Sequence, residues 1–249
     1  MSSNRFFVDE SSFAGDVVRL STEQAHQVCH VLRLGPGDPL VLLDNAGFEY
    51  DVMLAEVSAR QAVARITGRR PAAGEPKRQV TLFQSLLKRD KFETVLQKAT
   101  EVGVCRVVPV QTDRSLVRAK QIDAKKMTRW QRILTEAAEQ AHRGRIPDLE
   151  PAIAFSSVLK QIDQFDRVLI AAPSEKSPTL REALVQGGRA PASVAILIGP
   201  EGGFTDEEVS QAESQGAVAV GLGPRIFRTE TAAIVAAALV LYELGEMEP

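Results

Sequence analysis

The spacing of apolar residues changes character once along the chain, near residue 75. Before that point the apolar positions come in short runs with the period of a strand: RFFV, DVVRL, PLVLLDN, FEYDVMLAEVS and QAVARITG. One helix interrupts them. Ser21-Thr22-Glu23-Gln24 reads as a capping box ahead of AHQVCHVLRL. Ala46-Gly47, between two of the runs, predicts a hairpin. Residues 1–72 are therefore expected to form a small β-barrel with one inserted helix. RRPAAGEPKR follows, rich in Pro, Gly and charge and without hydrophobic period, and it marks a domain boundary.

From Gln79 to the end, residues 77–249, short apolar runs rich in Val and Ile alternate with helical patterns. QVTLFQSL, CRVVPVQT, RVLIAAP, SVAILIGP and AVAVGLG read as strands. KRDKFETVLQKATEVG, KKMTRWQRILTEAAEQAHR, SPTLREALVQG, TDEEVSQAESQG and TETAAIVAAALVLYELG read as helices. This is the pattern of an α/β domain, a parallel sheet covered by helices on both faces. Ligands on such sheets bind at the carboxyl ends of strands, which points to the loops after Pro173, Ile198 and Leu222.

Two of those loops carry glycine. Ile198-Gly199-Pro200-Glu201-Gly202-Gly203-Phe204 joins a strand to a helix that Thr205 and Glu208 cap. Gly202 and Gly203 allow backbone angles closed to other residues and a close approach of main chain to a ligand. That suits a flat adenine or a carboxylate; a triphosphate is disfavoured, because there is no G-x-x-x-x-G-K-[ST]. Without a ligand the same residues make a tight turn. The second loop, Gly221-Leu222-Gly223-Pro224-Arg225-Ile226-Phe227-Arg228-Thr229-Glu230-Thr231, begins like a dinucleotide fingerprint, but Pro224 and Ile226 break it. Arg228 and Glu230 either act on a ligand or cap the apolar helix behind them.

Charge changes the picture by its distribution. The net charge of −2 argues against nucleic acid. Yet residues 77–145 hold sixteen basic groups against seven acidic ones, while residues 1–72 hold seven against nine. A polyanion-binding face and a set of solvated helix faces both fit. Cys29 and Cys105 are far apart and outside any C-x-x-C pair, so both read as small buried residues. No apolar run approaches the ~20 residues of a membrane span and the start lacks a signal peptide, so the cytoplasm is the expected compartment. His26, His30 and His142 are too scattered to suggest a metal site.

IGPEGGF followed by LGPRIFRTETAA, together with KRDKFETVLQKATEVGV, RWQRILTEAAEQAHR and the opening RFFV, resembles the RsmE family of the SPOUT class. Those enzymes methylate uridine N3 in 16S ribosomal RNA. The likeness runs from Arg5 to the last helix. It implies a PUA-like N-terminal barrel, a C-terminal domain with a trefoil knot, a homodimer, and S-adenosylmethionine as cofactor. By motif, the cofactor residues it implies are Ala172, Pro173, Ile198, Gly199, Pro200, Glu201, Gly202, Gly203, Leu222, Gly223, Ile226, Phe227, Arg228 and Thr231. Phe227 stands where the family usually has Leu, and His142 where a small residue usually precedes Arg143.

Methyl transfer needs alignment more than a nucleophilic side chain or a metal. Uridine N3 must lose its proton while charge on O2 and O4 is stabilised. Arg228 is the candidate cation, and Glu201, Glu230 and Glu139 are candidate bases; each glutamate equally suits a helix end or an ion pair. The candidate RNA contacts are Arg5, Arg33, Lys88, Arg89, Arg114, Arg118, Arg132 and Arg143, some of which will be plain surface charges. Trp130 either stacks on a base or packs in a core or subunit contact. Two rivals remain: a non-catalytic RNA-binding or ribosome-assembly factor on the same scaffold, and a Rossmann oxidoreductase, against which the broken glycine fingerprint and the basic segment count.

Overall fold

The structure, a computed structural model, describes residues 4–88, 90–172, 177–185, 188 and 190–248. It divides into two compact units, Met1–Glu75 with Ala138–Ile146, and Pro76–Ala137 with Pro147–Pro249.

The first unit holds β1 (Arg5–Phe7), β2 (Phe13–Ala14), β3 (Val17–Leu20), α1 (Thr22–His26), β4 (Pro39–Leu43), β5 (Phe48–Val57) and β6 (Ala62–Pro71). The strands form one sheet in the order β1-β4-β5-β6-β3-β2, antiparallel except for β1 beside β4. The order is open, with β1 and β2 at its ends, so the expected barrel is a curled half-barrel. Register shifts at Asp51/Val52 and Leu54/Glu56 bend the two longest strands, as bulges do. Val18, Leu40, Leu42, Val52, Leu54 and Ala64 line its core with Ala25 and Val28 from the helical segment. The predicted hairpin joins β4 to β5. The predicted capping box is present: Gln24 N–H donates to Ser21 Oγ at 3.2 Å and Ser21 N–H to Gln24 Oε1 at 3.0 Å.

Residues 138–146 were read as part of the second domain but cluster with the first unit. The reason is Glu75. Its carboxylate accepts from Gly144 N at 2.9 Å, Arg145 N at 3.0 Å and the Arg143 guanidinium at 3.1 and 3.2 Å. His142 takes a left-handed backbone, φ 59°, at the turn within this segment, a conformation that glycine adopts without strain.

The second unit holds β7 (Gln79–Ser85), α2 (Lys91–Val102), β8 (Arg106–Gln111), α3 (Ala124–Gln140, through Ala137 in this unit), β9 (Asp148–Leu149), β10 (Ile153–Ala154), α4 (Phe155–Leu159), β11 (Arg167–Ala171), α5 (Leu180–Val185), β12 (Ser193–Ile198), α6 (Asp206–Ser214), β13 (Val218–Val220) and α7 (Thr229–Glu243). The sheet is parallel, in the order β10-β8-β7-β12-β11-β13, with β9 beside β8. Alternate residues of each strand face opposite sides. Ala195 and Leu197 pack with Phe155, Val158 and Ala212 of α4 and α6, whereas α7 packs on β7, β12, α2 and α5. Helix α7 buries Ala233, Ala236, Ala237, Val240 and Leu241, the i, i+3, i+4 stripe of a helix lying on a sheet. Trp130 is 1 % exposed and stacks on Phe92 with ring centroids 4.3 Å apart, which makes it a core residue. Both cysteines are half-buried rather than fully buried, and neither is in a disulfide.

Candidate active site

Strand β12 runs straight into the first glycine turn. Gly203 N–H donates to Pro200 O at 2.9 Å, closing a tight turn that ends with Gly203 at φ 68°. A side chain is strained there. Gly199 is required for a different reason: a Cβ on it would lie 3.1 Å from Phe204 N and 3.2 Å from Gly203. The turn is braced from outside. Arg114 donates to Gly202 O at 2.9 Å and Phe204 O at 3.0 Å. Glu208, which caps α6 by accepting from Thr205 N at 2.8 Å, also accepts from Asp113 N at 2.9 Å.

The second turn delivers the start of α7. Arg228 is its N-cap and is exposed, with no side-chain cap bond. Thr229 behind it is buried and donates its hydroxyl proton to Gly199 O at 2.6 Å, joining the two turns directly.

Between them lies a cavity of about 590 Å³, lined by Lys91, Ala171, Ile198, Gly199 to Gly203, Ile226 to Thr229 and Ala232. It falls within the ~300–1,000 Å³ of ordinary small-molecule sites. Its apolar wall comes from Ala171, Ile198, Phe227 and Ala232, and its polar edge from turn backbone and charged side chains. Lys91 Nζ lies 3.4 Å from Glu201 and 3.6 Å from Glu230, holding two carboxylates from different turns. Arg228 has no ion-pair partner among the described residues.

Nine of the expected cofactor residues line this cavity: Ile198, Gly199, Pro200, Glu201, Gly202, Gly203, Ile226, Phe227 and Arg228. Ala172, Leu222, Gly223 and Thr231 are not among the lining residues; Thr229 takes the place expected of Thr231, because the first turn of α7 points Thr229 inward and leaves Thr231 exposed. Pro173 lies outside the described residues. Of the candidate bases, Glu201 lines the cavity and Glu230 reaches Lys91 beside it, whereas Glu139 sits in the first unit and accepts from Phe7 N at 2.9 Å. Lys91, Ala171, Thr229 and Ala232 were missed. The strand-end rule applied to β7, the neighbour of β12, would have led to Lys91.

The expected RNA contacts divide sharply. Arg33, Lys88, Arg114, Arg118 and Arg132 are exposed, and Arg132 pairs with Glu136 on its own helix at 2.8 Å. Arg89 lies outside the described residues. Arg5, 11 % exposed, pairs with Glu49, and Arg143, 2 % exposed, pairs with Glu75. These two guanidinium groups are built into the first unit, which corrects their reading as surface contacts: each fills a buried site opposite a carboxylate distant in sequence.

Comparison with known proteins identifies the family. A family model described as an RNA methyltransferase domain matches residues 74–241, and one described as an RNA methyltransferase PUA domain matches 20–67. The ribosomal RNA small subunit methyltransferase E of Bacillus subtilis is 33 % identical over 228 residues, 90 % of this chain and 89 % of its own. The chain belongs to the ribosomal RNA small subunit methyltransferase E family. Its solved relatives within this methyltransferase E family include the enzyme of Neisseria gonorrhoeae bound to S-adenosylmethionine, 30 % identical, with a TM-score of 0.86 over 97 % of this chain and 98 % of that one. A Legionella pneumophila protein in complex with the bound cofactor is 33 % identical, with a TM-score of 0.88 over 97 % and 98 %. As a methyltransferase E the chain has no helix, among its described residues, long and apolar enough to cross a membrane.

Proposed function

We propose that this chain transfers a methyl group from S-adenosylmethionine to N3 of one uridine in 16S ribosomal RNA, in the cytoplasm, as a homodimer acting on the small ribosomal subunit. The observation that carries the reading is the cavity formed where the two glycine-bearing turns meet. Its residues fit the cofactor. The turn after Ile198, where a Cβ on Gly199 would crowd Phe204 N and Gly203, brings backbone polar groups to the rim, the apolar wall suits an adenine, and the carboxylates of Glu201 and Glu230 suit a cationic ligand. When bound, the cofactor supplies an electrophilic methyl group on a sulfonium.

The chain's own residues do the rest. Arg228, exposed at the cavity and without a carboxylate partner among the described residues, steadies the negative charge that develops on the uracil carbonyl oxygens. Glu201 or Glu230, or solvent reached past them, takes the N3 proton; Lys91 holds both carboxylates in place. Arg33, Lys88 and Arg118, all exposed, hold RNA phosphates. The homodimer reading is supported by α7, an apolar helix that leaves Leu239 and Tyr242 exposed and packs on α5, where Val185 is exposed as well. The trefoil knot implied by the family resemblance belongs to the same proposal.

The test is an assay of purified protein with labelled cofactor on unmodified small subunits and on free 16S RNA, with the product nucleotide mapped by mass spectrometry. A single N3-methyluridine is the expected result. RNA binding without cofactor binding would make the chain a non-catalytic assembly factor instead.

A further inference from the structure

We infer that Gln84 and Thr229 are positioning residues for methyl transfer, forming a buried hydrogen-bond relay that sets the start of α7, and with it Arg228, against the Gly199 turn. The inference rests on the methyl-transfer reading of the cavity. Gln84 is a polar residue at the carboxyl end of β7, in register with Ile198 of β12 and Pro109 of β8, and it is fully buried. Its Nε2 donates to Ser85 O at 3.1 Å and reaches Thr229 Oγ1 at 3.4 Å. Thr229 Oγ1 in turn lies 2.6 Å from Gly199 O.

The direction of this chain is fixed by chemistry. A carbonyl oxygen only accepts, so the Thr229 proton goes to Gly199, and the hydroxyl's lone pair is what faces the Gln84 amide. Each link therefore has one orientation, and consecutive links polarise one another. A relay of this kind sets a distance between two turns that an apolar contact would leave soft.

Packing alone does not account for Gln84. Its Oε1 and the Ser85 Oγ are buried with no hydrogen-bond partner among the described residues, a condition that costs free energy and that methionine at this position would avoid for the Gln84 oxygen. The only described side chain its amide meets is Thr229, which lines the cavity, while Gln84 itself stands behind the lining. Arg228 precedes Thr229 and gets no fixing from a cap bond of its own. The relay is thus what holds its backbone to the cofactor turn.

The consequence is a separation of binding from turnover. Cofactor contacts are spread over the whole lining and survive a small shift, whereas alignment of a charge-stabilising group is sensitive at the level of an ångström. Thr229→Val and Gln84→Met are expected to lower kcat by about tenfold or more while the cofactor Kd, read by calorimetry, stays within about threefold. Thr229→Ser, which keeps the hydroxyl, is expected to restore kcat. Rates are expressed per cofactor-binding site titrated in the same sample, so a partly unfolded variant still reports on its folded fraction. A kcat per site equal to wild type in both Thr229→Val and Gln84→Met overturns the relay, as does a Thr229→Ser variant no better than Thr229→Val. Failure of the underlying reading shows separately, as a wild-type protein that transfers no methyl group.

Discussion

The arginines of the first unit and the arginine of the cavity are the same side chain put to opposite uses. In the first unit, Arg5 and Arg70 share Glu49, Arg70 also meets Asp51, and Arg143 is bound to Glu75. The hydrogen bond that Arg70 donates to Asp51 holds the guanidinium above its ordinary pKa. In the second unit, Arg228 lines a cavity and meets no carboxylate among the described residues, while Lys91 is divided between two. A buried charge with a partner is architecture; a charge at a cavity without one is free to answer a charge that a reaction creates. The partner, rather than the residue type or the local charge density, distinguishes the two.

The comparison breaks first at Arg228. Arg228→Ala removes the one uncommitted cation among the described residues that line the cavity and is expected to lower kcat by about 10²- to 10³-fold, as loss of a charge-stabilising donor does. The unfolding midpoint should not move, since this side chain has no hydrogen bond or ion pair among the described residues. Turnover within twofold of wild type would assign charge stabilisation elsewhere.

Glu75→Ala is the complementary experiment. It withdraws the carboxylate from a guanidinium that is 2 % exposed and from two backbone N–H groups, so denaturant unfolding should show a loss of about 3 kcal/mol. Cofactor affinity should persist in the protein that remains folded. An unchanged midpoint would mean that residues 138–146 are held by their other contacts, among them Phe7, Val41 and Leu43 packing on Ala138, Phe7 N–H donating to Glu139 and Ile146 N–H donating to Asn45.

How far these distinctions can be read in a sequence depends on the range of the interaction. The capping boxes at Ser21 and Thr205 were legible because both partners lie within four residues, and α7 because its apolar pattern is continuous. The glycine turn after Ile198 was legible as a tight turn at a strand end, where a cavity forms, because a strand end, two glycines and a helix cap follow one another. Arg5 and Arg143 were misread because their partners, Glu49 and Glu75, lie 44 and 68 residues away. Lys91 was missed for the same reason, being more than a hundred residues from Glu201. Thr229 was passed over for Thr231 because sequence places both on one turn of helix and only the structure shows which side faces Gly199.

Gly203→Ala tests the backbone side of the cavity. At φ 68° an added Cβ meets no atom within 4 Å, so the cost is purely conformational, about 1–2 kcal/mol. Cofactor affinity should weaken with stability, because the strained turn relaxes by moving Pro200 and Glu201. A stability loss with unchanged cofactor Kd would show that the turn's shape does not matter to the ligand.

The smallest effect is expected where a charge has a partner but no burial. Arg65 and Asp16 are paired at 2.8 Å, yet both side chains are 64 % exposed. Water screens the attraction, and fixing two mobile side chains offsets much of what is left, so Arg65→Ala should change stability by no more than about 0.5 kcal/mol. The backbone around the pair is secured independently: Arg65 is opposite Val17 in the β3–β6 ladder, and Ile66 N–H donates to Asp16 O at 2.8 Å. Denaturant midpoints of wild type and variant, compared at low and high salt, give the answer. A loss above 1 kcal/mol that salt does not reduce would mean that having a partner makes a charge structural even at the surface. The contrast with Arg143 would then have nothing to do with burial.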